Sequence, residues 1–209
     1  MQLRDSLQVI DLADAFAFLG NSFLAPMNQT ERHGLDPEFW RSFPNFNDAE
    51  LARAVARCLD YAELAGDATS KGDLVSRVSV EYTRLFVGPP RPAVAPWETF
   101  YGRADVSSGF GEPTFIMQRE LAAAGLEVSN ENNQYADHIG IELLLLSELV
   151  RRSAGSGDLA EPLRFVDERL LPWVDRFSAA VRAEAYGGYY AGLAALASSL
   201  CKSFADLSQ

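Results

Sequence analysis

Cysteine is almost missing from this chain: Cys58 and Cys201 are the only two in 209 residues, far apart and in no CxxC pair. That excludes a disulfide framework and a cysteine-based zinc centre. Histidine is as scarce, with only His33 and His138, and no HExxH pattern occurs. Basic residues are in deficit, 18 Lys and Arg against 29 Asp and Glu, for a formal charge of −11. A sequence-independent grip on nucleic acid needs the opposite sign, whereas a cationic partner would be drawn to this chain. The most apolar run, residues 139–150, is broken by Glu142, Ser147 and Glu148 and is too short to span a membrane. The N-terminal stretch MQLRDSLQVIDLADAF mixes acidic with apolar residues, unlike a signal peptide, which points to the cytoplasm. Phosphate loop, GxGxxG turn and GxSxG elbow are all missing, so neither a common enzyme class nor a cofactor is indicated.

What is present is the composition of a globular protein, with 48% hydrophobic and 22% charged residues. Helical periodicity dominates and strand alternation is hard to find. Leu7, Ile10, Phe16, Leu19 and Phe23 describe a first helix ended by Pro26. Asp36-Pro37 starts a short helix carrying Phe39 and Trp40, as N-cap and first helical position. Asn47 or Asp48 caps a helix through Leu51, Val55 and Leu59 that Gly66 closes. Further patterns run over residues 73–86, from Glu112-Pro113 to Gly125, over 135–152 after a polar interval at 129–134, and over 158–170, 172–185 and 189–204. The expectation is an all-α globule of about ten helices in one domain spanning residues 1–209, with the Gly/Pro-rich loop 88–96 as an internal hinge.

Two stretches carry the chemistry. Residues 81–101 read EYTRLFVGPPRPAVAPWETFY: a helix stopped by Gly88 and the prolines after it, then a stiff segment presenting Trp97, Phe100 and Tyr101. Those aromatics either cap a helical core or bind a ligand. Arg84, three residues after Glu81, is expected to pair with it along the helix. The second stretch is Asp137-His138-Ile139-Gly140-Ile141-Glu142. His138 and Glu142, four apart, share a helix face, and Asp137 lies near the N-terminus, where a carboxylate suits the helix dipole. These residues allow a helix cap at Asp137 beside a hydrogen-bonded histidine, a general base, or a divalent-metal site on His138 and Glu142.

Residues 81–89, EYTRLFVGP, followed by APWETFY at 95–101, resemble the signature of the TorD/DmsD family of redox-enzyme maturation chaperones, E-[YF]-x-R-L-F-x-G-P and P-P-[YW]-E-S-x-Y. DHIGIEL at 137–143 resembles its D-H-[IL]-x-x-E-L segment. Phe165, Leu170, Trp173 and Phe177 resemble its F-x4-L-x2-W-x3-F helix, and Tyr189-Tyr190 to Ala194 its closing helix. Three positions depart: Ala95 for a proline, Thr99 for serine, and Arg169 where the family often has histidine. The resemblance implies an all-α cytoplasmic chaperone rather than an enzyme. Its partners would be the twin-arginine leader and the body of a molybdopterin-containing oxidoreductase, with the export machinery as a further partner, and it needs no cofactor or metal. By position, Trp97, Glu98, Tyr101, Asp137, His138 and Glu142 would line the leader site, and Phe86, Gly88 and Pro89 would shape its rim. Glu98 or Asp137 would pair with a leader arginine. The leader would lie as a helix in a groove or as an extended segment. The alternatives are a NarJ-type assembly chaperone of a non-exported molybdoenzyme and a metal-dependent hydrolase using His138 and Glu142.

Overall fold

Local helix signals are realised closely where a short polar side chain meets the first free backbone amides. In a computed structural model that describes residues 6–68, 71–102, 110–128 and 134–208, Asp36 accepts from the Glu38 amide at 3.0 Å, with Pro37 opening the helix. Asp48 accepts from the amides of Glu50 and Leu51, both at 2.9 Å. Each satisfies donors that no helix can pair internally.

The described residues hold ten α-helices: α1 (Ser6–Leu24), α2 (Pro37–Ser42), α3 (Ala49–Ala68), α4 (Lys71–Tyr82), α5 (Thr99–Gly102), α6 (Glu112–Ala123), α7 (Ile139–Ser153), α8 (Ala160–Phe165), α9 (Val174–Glu184) and α10 (Tyr189–Ala205). No β-strand occurs among them; one isolated antiparallel bridge joins Trp97 to His138. The all-α expectation therefore stands. The residues at 129–133, in the expected polar interval, and the opening residues 1–5 lie outside the described set.

Several boundaries differ from expectation. Gly66 does not close its helix, because α3 runs on to Ala68; glycine lowers helix propensity without forbidding a helix. The pattern over 73–86 is α-helical only to Tyr82, and Thr83–Val87 form a π-helical turn closed by the Gly88 amide on the Thr83 carbonyl at 2.7 Å. Val166–Leu170 form a second π turn. The helix expected over 135–152 begins only at Ile139.

One continuous hydrophobic cluster, from Val9 on α1 to Ala205 on α10, makes the core. Its centre is aromatic: Phe23, Tyr82, Phe86, Phe177 and Tyr190 pack with ring centroids 5.3–6.3 Å apart, mostly edge to face, as the ring quadrupole favours. The most extensive helix contact is α1 on α7. A Cβ on Gly20 would lie 2.8 Å from the Gly140 carbonyl oxygen, and one on Gly140 2.7 Å from that of Gly20. The glycine inside the DHIGIEL stretch is thus explained by a close helix crossing. That crossing seats the N-terminus of α7, and with it His138, against α1. Among the described residues no helix is long and apolar enough to cross a membrane.

Candidate functional site

Residues 93–101 return across the end of the α4 segment and lie on the start of α7. The Val94 amide donates to the Leu85 carbonyl at 2.8 Å, the Glu98 amide to that of Asp137 at 2.9 Å, and the Ile139 amide to that of Pro96 at 2.8 Å. The turn before this segment depends on Gly88, whose φ is +90°; a Cβ there would meet the Arg91 carbonyl oxygen at 2.2 Å. The two stretches singled out in the sequence therefore form one seam.

Asp137 is wholly buried and is not the helix cap. Its Oδ2 accepts from the Thr99 amide at 3.0 Å and the Thr99 hydroxyl at 2.6 Å, and its Oδ1 from the Thr114 hydroxyl at 2.8 Å. It ties α5 and α6 to the head of α7. The cap is His138, whose Nδ1 accepts from the Gly140 amide at 3.0 Å. An accepting Nδ1 leaves the proton of the neutral ring on Nε2, and complete burial pushes the imidazole down to about 3.

Beside this pair lies a second buried set. Glu142, fully buried, accepts from the Trp173 indole at 3.2 Å through Oε2. Desolvation holds it well above the ordinary carboxylate range, with Glu98 adding to the rise and Arg169 opposing it. Glu142 therefore carries a proton, and Glu98 is within its hydrogen-bonding reach. Glu98 is ion-paired to Arg169 on the second π turn, and both side chains are nearly covered. Its own carboxyl is shifted up by burial against the pull of Arg169.

The aromatic residues close the seam. Tyr101 donates its hydroxyl to the Ala95 carbonyl at 2.9 Å and sets its ring 5.2 Å from that of Trp173. Trp97, half-buried, packs against Phe100, Tyr135 and His138 at 6.0–6.1 Å. Three buried donors have no acceptor: Trp97 Nε1, His138 Nε2 and Arg169 Nε. Glu142 Oε1 also receives no donor, leaving it for the acid proton.

Trp97, Glu98, Tyr101, Asp137, His138 and Glu142 thus come together as the sequence suggested, but four expectations need correction. Phe86 is not at a rim: only 4% exposed, it sits in the central aromatic cluster. Gly88 and Pro89 remain at the surface turn. Arg84 does not pair along its helix; it donates to the Glu184 carbonyl at 2.9 Å, while Glu81 accepts from the amides of Tyr189 and Tyr190 at 3.3 and 3.0 Å. Asp137 and Glu98 do not stand open for an arginine, since each already holds an internal donor. The metal reading loses its donor set, because His138 Nδ1 is spent on the helix cap and no three His, Cys, Asp or Glu converge among the described residues. Sequence reasoning missed Thr99, Thr114, Trp173 and Arg169 as members of this network. The signal for two of them lay in the departures from the family pattern: Thr99 keeps the hydroxyl of serine, and Arg169 brings a cation.

A sequence model of the nitrate reductase delta subunit family matches residues 46–179, which include the whole seam. The chain belongs to that family. Members similar to it include proteins named chaperone protein TorD from Shewanella pealeana, 30% identical over 69% of this chain and 66% of that protein, from Vibrio atlanticus, 27% identical over 64% and 65%, and from Escherichia coli K12, 29% identical over 61% and 62%. The chain spans just under two thirds of the length of these relatives. The resemblance to TorD-type members of the delta subunit family, drawn from short motifs, therefore extends across most of the chain.

Proposed function

We propose that this chain is a non-enzymatic, cytoplasmic maturation chaperone, acting as one helical domain, that binds the twin-arginine leader of a molybdopterin-containing oxidoreductase and supports its folding, cofactor insertion and export proofreading. The relatives named as TorD chaperones support the class, and one structural observation supports the site. Buried donors without acceptors are rare, and each costs about 1–3 kcal/mol. Trp97 Nε1, His138 Nε2 and Arg169 Nε are three of them, in one seam. A role confined to packing would have favoured apolar groups there. A peptide offers carbonyl acceptors in series, and its apolar side chains suit the Trp97 and Tyr101 rings.

On this reading the loop at 88–96 is the hinge and residues 97–101 the movable wall. The leader enters by displacing the wall from α7, trading the Glu98–Asp137 and Pro96–Ile139 backbone bonds for bonds to itself. Isothermal titration with the leader of a molybdoenzyme encoded nearby tests this. Binding that weakens at least tenfold on Trp97→Ala, with the fold intact, is the expected result. No heat from the wild-type protein with any such leader would overturn the reading.

A further inference from the structure

Leader recognition needs carboxylates for a guanidinium pair, yet Asp137, Glu142 and Glu98 are committed internally. Exposed carboxylates beside aromatic faces occur elsewhere, between α1 and α2. A cleft of about 140 Å³ is lined there by Asp11, Asp14, Phe18, Phe39, Phe43 and Pro44. The Phe18 and Phe39 rings are 4.8 Å apart by centroid, Phe39 and Phe43 5.7 Å, and Phe18 and Phe43 6.2 Å. Phe18 and Phe39 remain partly exposed, so their faces are available to the cleft.

Asp11 and Asp14 are three apart on α1 and so lie on one side of it. Asp14 Oδ1 already accepts from Arg151 of α7 at 2.6 Å, an arginine held at the edge of the cleft by the chain itself. Asp11 is exposed, and no cation among the described residues pairs with it. Aromatic walls with a carboxylate at the mouth are the chemistry that holds a cation over a ring face. A narrow slot between rings suits a planar guanidinium better than a hydrated ammonium. The apolar stem of the same side chain would lie along Phe39 and Pro44.

We propose that this cleft is the seat for an arginine side chain of the partner peptide, with Asp11 as its counter-ion and Phe18, Phe39 and Phe43 as its walls. The assignment rests on the leader-binding reading and moves charge recognition away from the seam, leaving the seam for the apolar part of the peptide. The net charge of −11 supports the same polarity of partner.

The test uses the full chain, a synthetic twin-arginine leader and the same peptide with both arginines replaced by glutamine, titrated at low and moderate salt. The wild-type protein should bind the arginine peptide about tenfold tighter. Asp11→Asn, at an exposed helix position, should lose most of that preference and flatten the salt dependence with an unchanged melting temperature. Phe39→Leu should lose part of the preference at both salt concentrations. Full wild-type preference in both variants would overturn the assignment while leaving leader binding intact. Equal wild-type binding of the two peptides would do the same. Binding of neither would remove the leader reading and this seat together.

Discussion

At the residue scale, the two titratable groups at the head of α7 pull stability in opposite directions with pH. His138 is held neutral, its pKa pushed down to about 3 from an ordinary 6.5. Below 6.5 the unfolded chain takes up a proton that the folded chain refuses, so stability falls as pH drops towards 3, by at most about 1.4 kcal/mol per unit. Glu142 has the opposite sign, since its raised pKa keeps it protonated in the fold while the unfolded carboxyl ionises above about 4.5. Stability from that group falls as pH rises above 4.5 and levels off beyond its folded pKa; Glu98, also raised by burial, adds to this limb. Denaturant unfolding across about pH 4 to 8 should show His138→Asn losing part of the wild-type acid-side decline and Glu142→Gln losing part of the alkaline-side decline. Profiles parallel to wild type would show that neither group is desolvated as described. Gly88 makes a simpler case: with φ at +90° and the Arg91 carbonyl in the way, Gly88→Ala should cost about 2 kcal/mol or more, read from a thermal melt.

At the element scale, Glu81 links α4 to α10. Its two oxygens accept from the first amides of α10, Tyr189 and Tyr190, and a Cβ on Gly188 would fall 2.4 Å from that carboxylate. A carboxylate at a helix N-terminus satisfies free donors and favours the helix dipole. Glu81→Ala should therefore destabilise the protein by about 1–2 kcal/mol and Glu81→Gln by less, measured by chemical denaturation. A fully stable alanine variant would mean that water caps α10 equally well. The same residue shows where sequence reading stops. Asp36 and Asp48 were legible as caps because their partners lie two or three residues ahead. Glu81 caps a helix 108 residues away, and from sequence Arg84 is its nearer and more obvious neighbour. The π turns at Thr83–Val87 and Val166–Leu170 were hidden for a related reason, since a helical apolar pattern does not distinguish i−5 from i−4 closure. In the seam, motif positions brought together six residues, but which carboxylate caps, which is protonated and which is paired depends on contacts across 23 to 71 residues.

At the scale of the whole molecule, the pair between Glu98 and Arg169 joins the aromatic wall to the turn between α8 and α9, across a boundary that the leader-binding reading requires to open. Removing one partner of a nearly buried ion pair leaves the other desolvated and uncompensated, commonly at about 3 kcal/mol. In Arg169→Ala the stranded charge is Glu98, on the wall itself, and moving the wall outward rehydrates it. The variant should therefore be less stable, and hydrogen exchange at the Glu98 and Ile139 amides, which bridge wall and α7, should quicken more than elsewhere in the core. A protein whose binding-competent state is rarely populated binds more weakly by that fraction. The same variant should then bind a leader peptide at least as tightly as wild type, despite its lower melting temperature. A structural role for Arg169 alone would lower both stability and affinity. Loss of affinity in step with stability would place Arg169 among the groups that hold the site together, and the wall at 97–101 would then be a fixed part of the fold.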